Sequence, residues 1–248
     1  MTDMSYAHAE PGAEGRPRRL RDWHRRVARH AALFATGFGA ALAICVPLAP
    51  AIASDKDGRP GVEAAAEDPD AALILRLQKG GVVVFLRTAE TDETSPDARI
   101  LDQRDRQRTL TRGGRMQAAI LGAAFETLDI RPGRVLSSPL SRARDTAELA
   151  FGRGDVEVTR ILGNYCRTAG CEVRHQAAIQ GLLTSPPPEG RVTVLVGHRT
   201  SLERATGQAF PEAELPDCSM AVFDPQESGP RLLGILEPHA LLAAAAQG

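Results

Sequence analysis

Two short apolar runs constrain the fold of this chain more than any other feature. Val82–Leu86 is apolar on both faces, and residues 191–196 are similarly rich in β-branched side chains. Runs of this kind are typical of strands buried in a parallel sheet. Segments with helical features lie before, between and after them, so strands and helices alternate along the chain. The sequence therefore predicts an α/β fold with a largely parallel sheet.

Caps and periodicity predict the remaining elements. Asp68 and Pro69 are typical of a helix N-cap and a first helical residue. Met116, Ala119, Ile120 and Ala123 recur at helical spacing and predict the apolar face of one helix. The predicted helices cover 69–79, 111–128, 139–151, 172–183 and 201–206, and the further strands cover 135–136, 156–158, 219–223 and 232–236.

An uncharged segment near the beginning of the chain predicts export. Seven arginines lie within residues 16–29, and residues 31–53 then contain no charged side chain. The segment ends in Ala51-Ile52-Ala53, so a basic region, an apolar region and an A-x-A end follow one another, as in a secretory signal peptide. Cleavage after Ala53 would release a periplasmic or extracellular protein. The alternative is an uncleaved membrane anchor, since about 20 apolar residues span a bilayer.

The charge of the chain divides at the same place. The whole sequence has 30 basic and 31 acidic residues, a formal net charge of −1. Residues 1–53 hold 7 of the basic and 4 of the acidic residues. Residues 54–248 therefore have 23 basic and 27 acidic residues, a net charge of −4. No basic field indicates nucleic-acid binding. We expect an export segment or anchor at 1–53, a linker at 54–67, one domain at 68–238 and a tail at 239–248.

The four cysteines are consistent with an oxidising compartment. Cys45 lies in the apolar segment, and Cys166 and Cys171 lie close enough in sequence to close a small disulfide loop. Cys218 would then be unpaired, although free thiols at all three positions remain an alternative. The spacing lacks the second half of a zinc site, and no metal or other cofactor is expected.

Three polar clusters directly follow predicted strands. Arg87 and Thr88 follow the first strand, Arg142 lies in the cluster after the second, and His198 follows the strand at 191–196. In open α/β sheets, ligands bind beyond the carboxyl ends of the strands. Two guanidinium groups and an imidazole at this edge would bind an oxyanion, because guanidinium matches phosphate geometry and stays charged. The expected partner is a phosphorylated small molecule or another anion.

These clusters resemble the motifs of the histidine phosphatase superfamily, which has the phosphoglycerate mutase-like fold. The similar stretches are VVVFLRTAETD, LTRGGRMQAAILGAAF, SSPLSRARDTAELAFG and VTVLVGHRTSL, in that order. The resemblance implies a three-layer α/β/α sandwich. It also implies a phosphate pocket formed by Arg87, Arg142 and His198, with a catalytic role for His198.

Thr88 departs from this pattern, because the superfamily has its nucleophilic histidine at that position. An imidazole has a free lone pair at neutral pH, whereas a threonine hydroxyl needs a base to activate it. The acidic proton donor of many members corresponds here to Asn164, and Asp92 or Glu93 is a possible substitute. The sequence therefore predicts an exported phosphate-ester-binding protein with impaired catalysis, a pseudophosphatase. The alternatives are an active phosphomonoesterase with an altered mechanism and a non-catalytic interaction scaffold.

Overall fold

The computed structural model describes residues 68–97, 101, 103–163 and 168–247. The predicted export segment 1–53, the linker 54–67 and Asn164 lie outside these residues. No helix in the described part of the chain is long and apolar enough to cross a membrane.

Six strands form a single sheet in the order β3-β2-β4-β1-β5-β6. Strands β1 to β4 run parallel, while β5 pairs antiparallel with β1 and β6 pairs antiparallel with β5. The predicted α/β fold with a mostly parallel sheet is confirmed. The strands are β1 Val82–Arg87, β2 Pro132–Ser137, β3 Val156–Val158, β4 Val192–Gly197, β5 Met220–Gln226 and β6 Gly229–Leu236.

Helices cover both faces of this sheet, which gives three layers. One face packs α1, α2, α3 and α6 against side chains such as Val84 and Val194. The other face packs α4 and α5 against side chains such as Phe85 and Leu195. The helices are α1 Pro69–Lys79, α2 Arg112–Thr127, α3 Ser141–Phe151, α4 Ala169–Thr184, α5 Arg199–Thr206 and α6 Pro238–Ala245.

The predicted apolar face of α2 is wrong. Met116 is 55% exposed and Ile120 is 41% exposed, while Leu121 and Phe125 are buried. The buried face also contains Gly122, where α2 approaches α3 so closely that only a hydrogen atom fits. Close backbone packing on small residues therefore determines the face, and the larger side chains at 116 and 120 point outward.

Adding one methyl group at Gly122 should destabilise the fold. A Cβ there would overlap the backbone carbonyl oxygen of Ala150, which cannot move without shifting α3. We expect Gly122→Ala to lower the free energy of unfolding by about 2–3 kcal/mol, the cost typical of overpacking. Gly181→Ala in α4 is the matched control, because nothing lies within 4 Å of its Cβ, and it should be neutral or slightly stabilising. Equal effects in urea unfolding would contradict this interpretation.

The end of the chain is a structural part of the domain. Residues 239–248, assigned to a tail from the sequence, include most of α6, whose Leu241 is fully buried in the core. Alanine-rich sequence without charge gives little sign of a packed helix, which explains the error.

The cysteines agree with the expected pattern. Cys171 is disulfide-bonded and Cys218 is a buried free thiol, while Cys166 lies outside the described residues.

Candidate functional site

The sheet brings the three predicted clusters to one edge. Strands β2, β4 and β1 are neighbours, and their register pairs Arg87 with Gly197 and Ser137 with Val196. The backbone continues the pairing beyond the strands, because Thr88 N donates to Gly197 O at 3.3 Å. Parallel strands end at the same edge, so the residues that follow them converge there.

A polar cavity of about 340 Å³ lies at this edge. All four residues predicted from the sequence line it, namely Arg87, Thr88, Arg142 and His198. Every lining residue has a polar or charged side chain. The other lining residues are Thr91, Asp97, Arg108, Arg199, Thr200 and Asp217.

Arg87 is held in the cavity by acidic and backbone partners. Its Nη1 lies 2.6 Å from Glu212 Oε1 and also donates to the Leu215 carbonyl oxygen. Its Nη2 lies 2.8 Å from Asp217 Oδ1. The guanidinium is therefore oriented by the protein, with part of its charge balanced by Asp217 and Glu212.

Arg142 lies in the first turn of α3 and is 9% exposed. Its Nη1 donates to Asp97 Oδ1 at 2.9 Å. Thr146, one turn later, accepts a hydrogen bond from Ala89 N at 3.1 Å and donates to Arg142 O at 2.8 Å. These bonds fasten α3 to the segment after β1, so the two arginine-bearing elements keep a defined separation.

His198 is buried at the end of β4, where its ring contacts a serine from the second cluster. Its Nε2 lies 2.9 Å from Ser138 Oγ, which also accepts from Leu140 N at 3.3 Å. A hydroxyl can donate to a neutral imidazole or accept from a charged one, so Ser138 fixes the ring in either state.

Thr88 lines the same cavity as these groups. Its backbone is held on both sides, since its N–H donates to Gly197 and its carbonyl accepts from Cys218 N at 3.1 Å. Among the described residues, its hydroxyl forms no side-chain hydrogen bond, so no base is bonded to it. The side chain is 6% exposed and faces the cavity.

Two further arginines were missed in the sequence interpretation. Arg199 follows His198 directly, and its Nη1 donates to Phe210 O at 2.9 Å and contacts Glu203. Arg108 comes from the loop 89–109, which contains several other arginines in similar sequence surroundings. Nothing in the sequence separates Arg108 from its neighbours, because only the fold turns it into the cavity.

The structure also indicates a different acidic residue at the cavity from the two that the sequence suggested as proton donors. Neither Asp92 nor Glu93 lines the cavity, whereas Asp217 does. Asp92 instead accepts hydrogen bonds from Thr94 and Ser95, which lower the pKa of its carboxyl group. The four arginines and two aspartates that line the cavity give it a formal charge of +2 when His198 is neutral.

Asp217 lies in a strained turn. Ser219 N donates to Pro216 O at 3.1 Å, and Cys218 has a φ of 65°, in the left-handed region that favours glycine. Burial raises the pKa of the Asp217 carboxyl group, Arg87 lowers it, and the carboxylates of Glu212, Glu90 and Glu93 raise it further. The net pKa is above the ordinary aspartate value.

This raised pKa predicts a pH-dependent stability. The native state binds the Asp217 proton more tightly than the unfolded chain, so the stabilisation is complete below the ordinary carboxyl pKa and lost as pH rises through the raised native value. The free energy of unfolding of the wild type, relative to Asp217→Asn, should fall as pH rises from about 4. Urea titrations at several pH values measure this, and a constant or rising difference would contradict it.

A family model decides how this site is classified. The model of the histidine phosphatase superfamily (branch 1) matches residues 83–162. The resemblance to the histidine phosphatase superfamily is confirmed. The matched histidine phosphatase segment contains Arg87, Thr88 and Arg142, while His198 lies beyond it. Among curated proteins, none matches the chain.

Several solved structures are similar to this chain over most of their own length. The Rv3214 open reading frame of Mycobacterium tuberculosis is 20% identical, with 64% of this chain and 99% of that chain covered and a TM-score of 0.46. The protein histidine phosphatase SixA complexed with tungstate is 20% identical, with 64% and 99% covered and a TM-score of 0.45. The phosphoserine phosphatase of Entamoeba histolytica in complex with 3-phosphoglyceric acid is 12% identical, with 64% and 98% covered and a TM-score of 0.46.

Proposed function

We propose that this is an exported protein that binds a phosphate ester through Arg87, Arg142 and His198 and hydrolyses it poorly or not at all. The superfamily fold suggests phosphate-ester binding or hydrolysis. One observation carries the finer proposal: Thr88 lines the cavity that joins these three residues, and its hydroxyl is hydrogen-bonded to none of the described side chains.

The charges of the cavity support binding of a dianion. Four guanidinium groups and two carboxylates line it, while Glu212 and Glu203 pair with Arg87 and Arg199 from outside the lining. The lining itself is therefore more positive than negative and attracts a phosphate monoester, which carries nearly two negative charges near neutral pH. Guanidinium groups bind phosphate oxygens in pairs of hydrogen bonds. Arg87 and Arg142 are both held by protein contacts, so little side-chain entropy is lost when the anion binds.

The same geometry supports impaired turnover. A threonine hydroxyl transfers its proton only to a nearby base, and none of the described side chains accepts it. If Thr88 were phosphorylated, the product would be a phosphate ester, which hydrolyses far more slowly than the phosphoramidate that histidine forms. Both halves of the two-step reaction are therefore disfavoured.

An active phosphomonoesterase with an altered mechanism is the second candidate. Asp217 favours it, because a cavity-lining carboxyl group with a raised pKa is suited to proton transfer at mildly acidic pH. Water activated in this way would attack the phosphorus directly, with the arginines neutralising the transferring group.

The proposed function is tested by binding and turnover in parallel. Phosphate and vanadate should raise the melting temperature of the protein, and hydrolysis of 4-nitrophenyl phosphate should stay at background. Robust turnover that is lost in His198→Ala would overturn the impaired-catalysis proposal in favour of the second candidate. An absence of any anion effect, unchanged when Arg87 and Arg142 are both replaced, would favour an interaction scaffold.

Export is proposed from the sequence of residues 1–53 and has its own test. Mass spectrometry of the protein from the native envelope should show a chain that begins at Ser54, after cleavage behind Ala53. Recovery of the uncleaved chain in the membrane fraction would instead support the anchor, and recovery of the uncleaved chain in the cytoplasm would contradict export.

A further inference from the structure

The outer face of α2, formed by Met116, Ala119, Ile120 and Ala123, is an apolar surface that does not line the cavity. These four side chains lie within about 100° around the helix axis, because each residue of an α-helix turns by about 100°. In the described part of the chain, α2 is the one element that exposes two large apolar side chains, Met116 and Ile120. Since the opposite face of α2 forms the packing against the core, the fold of one copy does not account for this outer face.

Charged side chains of opposite sign flank the outer face at its two ends. Arg115 is exposed near the start of α2, where its Nη1 donates to the Leu110 carbonyl oxygen at 2.9 Å, and Glu126 is exposed in the last turn. At 3.6 residues per turn, Arg115 and Glu126 lie about 20° apart around the axis, so both are on the same side of the outer face. Their separation along the axis is about 16 Å, which is too far for an ion pair within one helix.

This arrangement of charged and apolar residues is complementary to itself. Two copies of α2 that meet antiparallel across a twofold axis bring the same flank of both helices together, so Arg115 faces the partner's Glu126 and the ion pair forms twice. The charged positions are centred between residues 120 and 121 and the apolar positions between residues 119 and 120, so one axis near Ile120 fits both sets. The antiparallel arrangement also places the positive end of each helix dipole beside the negative end of the other.

We infer that the outer face of α2 binds a second copy of this chain, with the two α2 helices antiparallel and Ile120 at the twofold axis. Removal of the Met116 and Ile120 side chains from water supplies the main favourable free energy, and the two ion pairs determine the orientation. A single pair of helices buries less surface than a standard interface, so the dimer is a weak one with a micromolar dissociation constant. The inference is independent of the proposed function, because none of these residues lines the cavity.

Sedimentation equilibrium of the full chain, from low to high micromolar concentration, tests the apolar contact at the axis. The wild type should show a reversible monomer–dimer equilibrium. Ile120→Arg brings two like charges together at the axis and should raise the dissociation constant at least about 100-fold, as for the loss of a central interface residue. Leu75→Arg is the matched control, because Leu75 is a 66% exposed apolar side chain of α1, and it should leave the dissociation constant unchanged.

Two charge variants test the antiparallel arrangement without changing an apolar contact. Arg115→Glu places acidic side chains opposite each other at both ion pairs, and Glu126→Arg does the same with basic side chains, so each variant alone should sediment as a monomer. A mixture of the two variants should form a heterodimer, because every pair across its interface is again of opposite sign. The variant that carries both substitutions should dimerise as the wild type does, with the two ion pairs reversed.

Each possible failure has a distinct reading. A wild type that stays monomeric over the whole concentration range would overturn the inference. A dimer that persists in Ile120→Arg, or that Leu75→Arg weakens equally, would place the association on another surface and overturn it as well. If the two charge variants are monomeric alone and do not associate when mixed, the antiparallel interface is wrong. Phosphate affinity should be the same in all of these variants, so the outcome leaves the proposed function untouched.

Discussion

Replacing Thr88 with histidine is expected to raise phosphomonoester hydrolysis at least about 100-fold above the wild type, which corresponds to about 2.7 kcal/mol of transition-state stabilisation. The backbone of residue 88 is held by Gly197 and Cys218 in a position that faces the cavity. An imidazole placed there has a nucleophilic lone pair at neutral pH and needs no base. Steady-state assays with 4-nitrophenyl phosphate measure the gain.

Two control variants show whether this gain has the proposed origin. Thr88→Asn adds a polar side chain of intermediate size without a nucleophile and should stay at background. His198→Ala in the Thr88→His background should lose the gained activity, because His198 stabilises the transferring charge in the proposed pocket. If Thr88→His binds phosphate as the wild type does but gains no activity, a missing nucleophile is not a sufficient explanation of impaired catalysis.

Replacing Arg142 with alanine is expected to weaken phosphate binding at least about 100-fold. The variant loses two charge-assisted hydrogen bonds, each of which contributes about 1.5–3 kcal/mol. It also removes the guanidinium of Arg142 from beside the Asp97 carboxylate at the wall of the cavity, so the negative charge of Asp97 repels the anion more strongly. Calorimetric titration with inorganic phosphate measures the loss.

Arg144→Ala is the matched control for this experiment. Arg144 lies on the same helix, and its Nε contacts Glu148 at 2.6 Å, but it does not line the cavity. Its replacement should leave phosphate affinity within a factor of about two and change stability by about 1 kcal/mol or less, since Arg144 is 40% exposed and Glu148 keeps its contact with Arg153. Equal losses in the two variants would indicate that α3 acts through overall charge and not through a specific contact by Arg142.

The strand ends could be located from sequence because their signals are local. The β-branched runs at 82–86 and 191–196 form β1 and β4, and Arg87, Thr88 and His198 follow them directly. Because neighbouring parallel strands end at the same edge of the sheet, the residues that follow them come together there, and no other sequence signal is needed to predict this. The motif around Arg142 adds a helix start, which places that side chain at the same edge.

The remaining features depend on contacts between distant segments. Met116 and Ile120 are apolar and correctly spaced, yet the close approach at Gly122 turns the opposite face of α2 inward. Asp217 reaches the cavity from a turn after α5, and no motif in the sequence marks this turn as part of a site. Arg108 has the same composition around it as the other arginines of its loop, and its place at the cavity depends on contacts of its neighbours, such as the bond from Ser141 N to Gln107 Oε1 and the bridge between Leu110 and Thr91.

Phosphorus NMR of the wild-type protein with 2-hydroxyethyl phosphate observes binding and turnover of the ester in one experiment. We expect the ester resonance to broaden or shift on addition of protein, while the resonance of inorganic phosphate stays at the level of a protein-free control. Steady growth of the inorganic phosphate resonance, abolished in His198→Ala, would contradict this expectation, and so would an ester resonance unaffected by the protein.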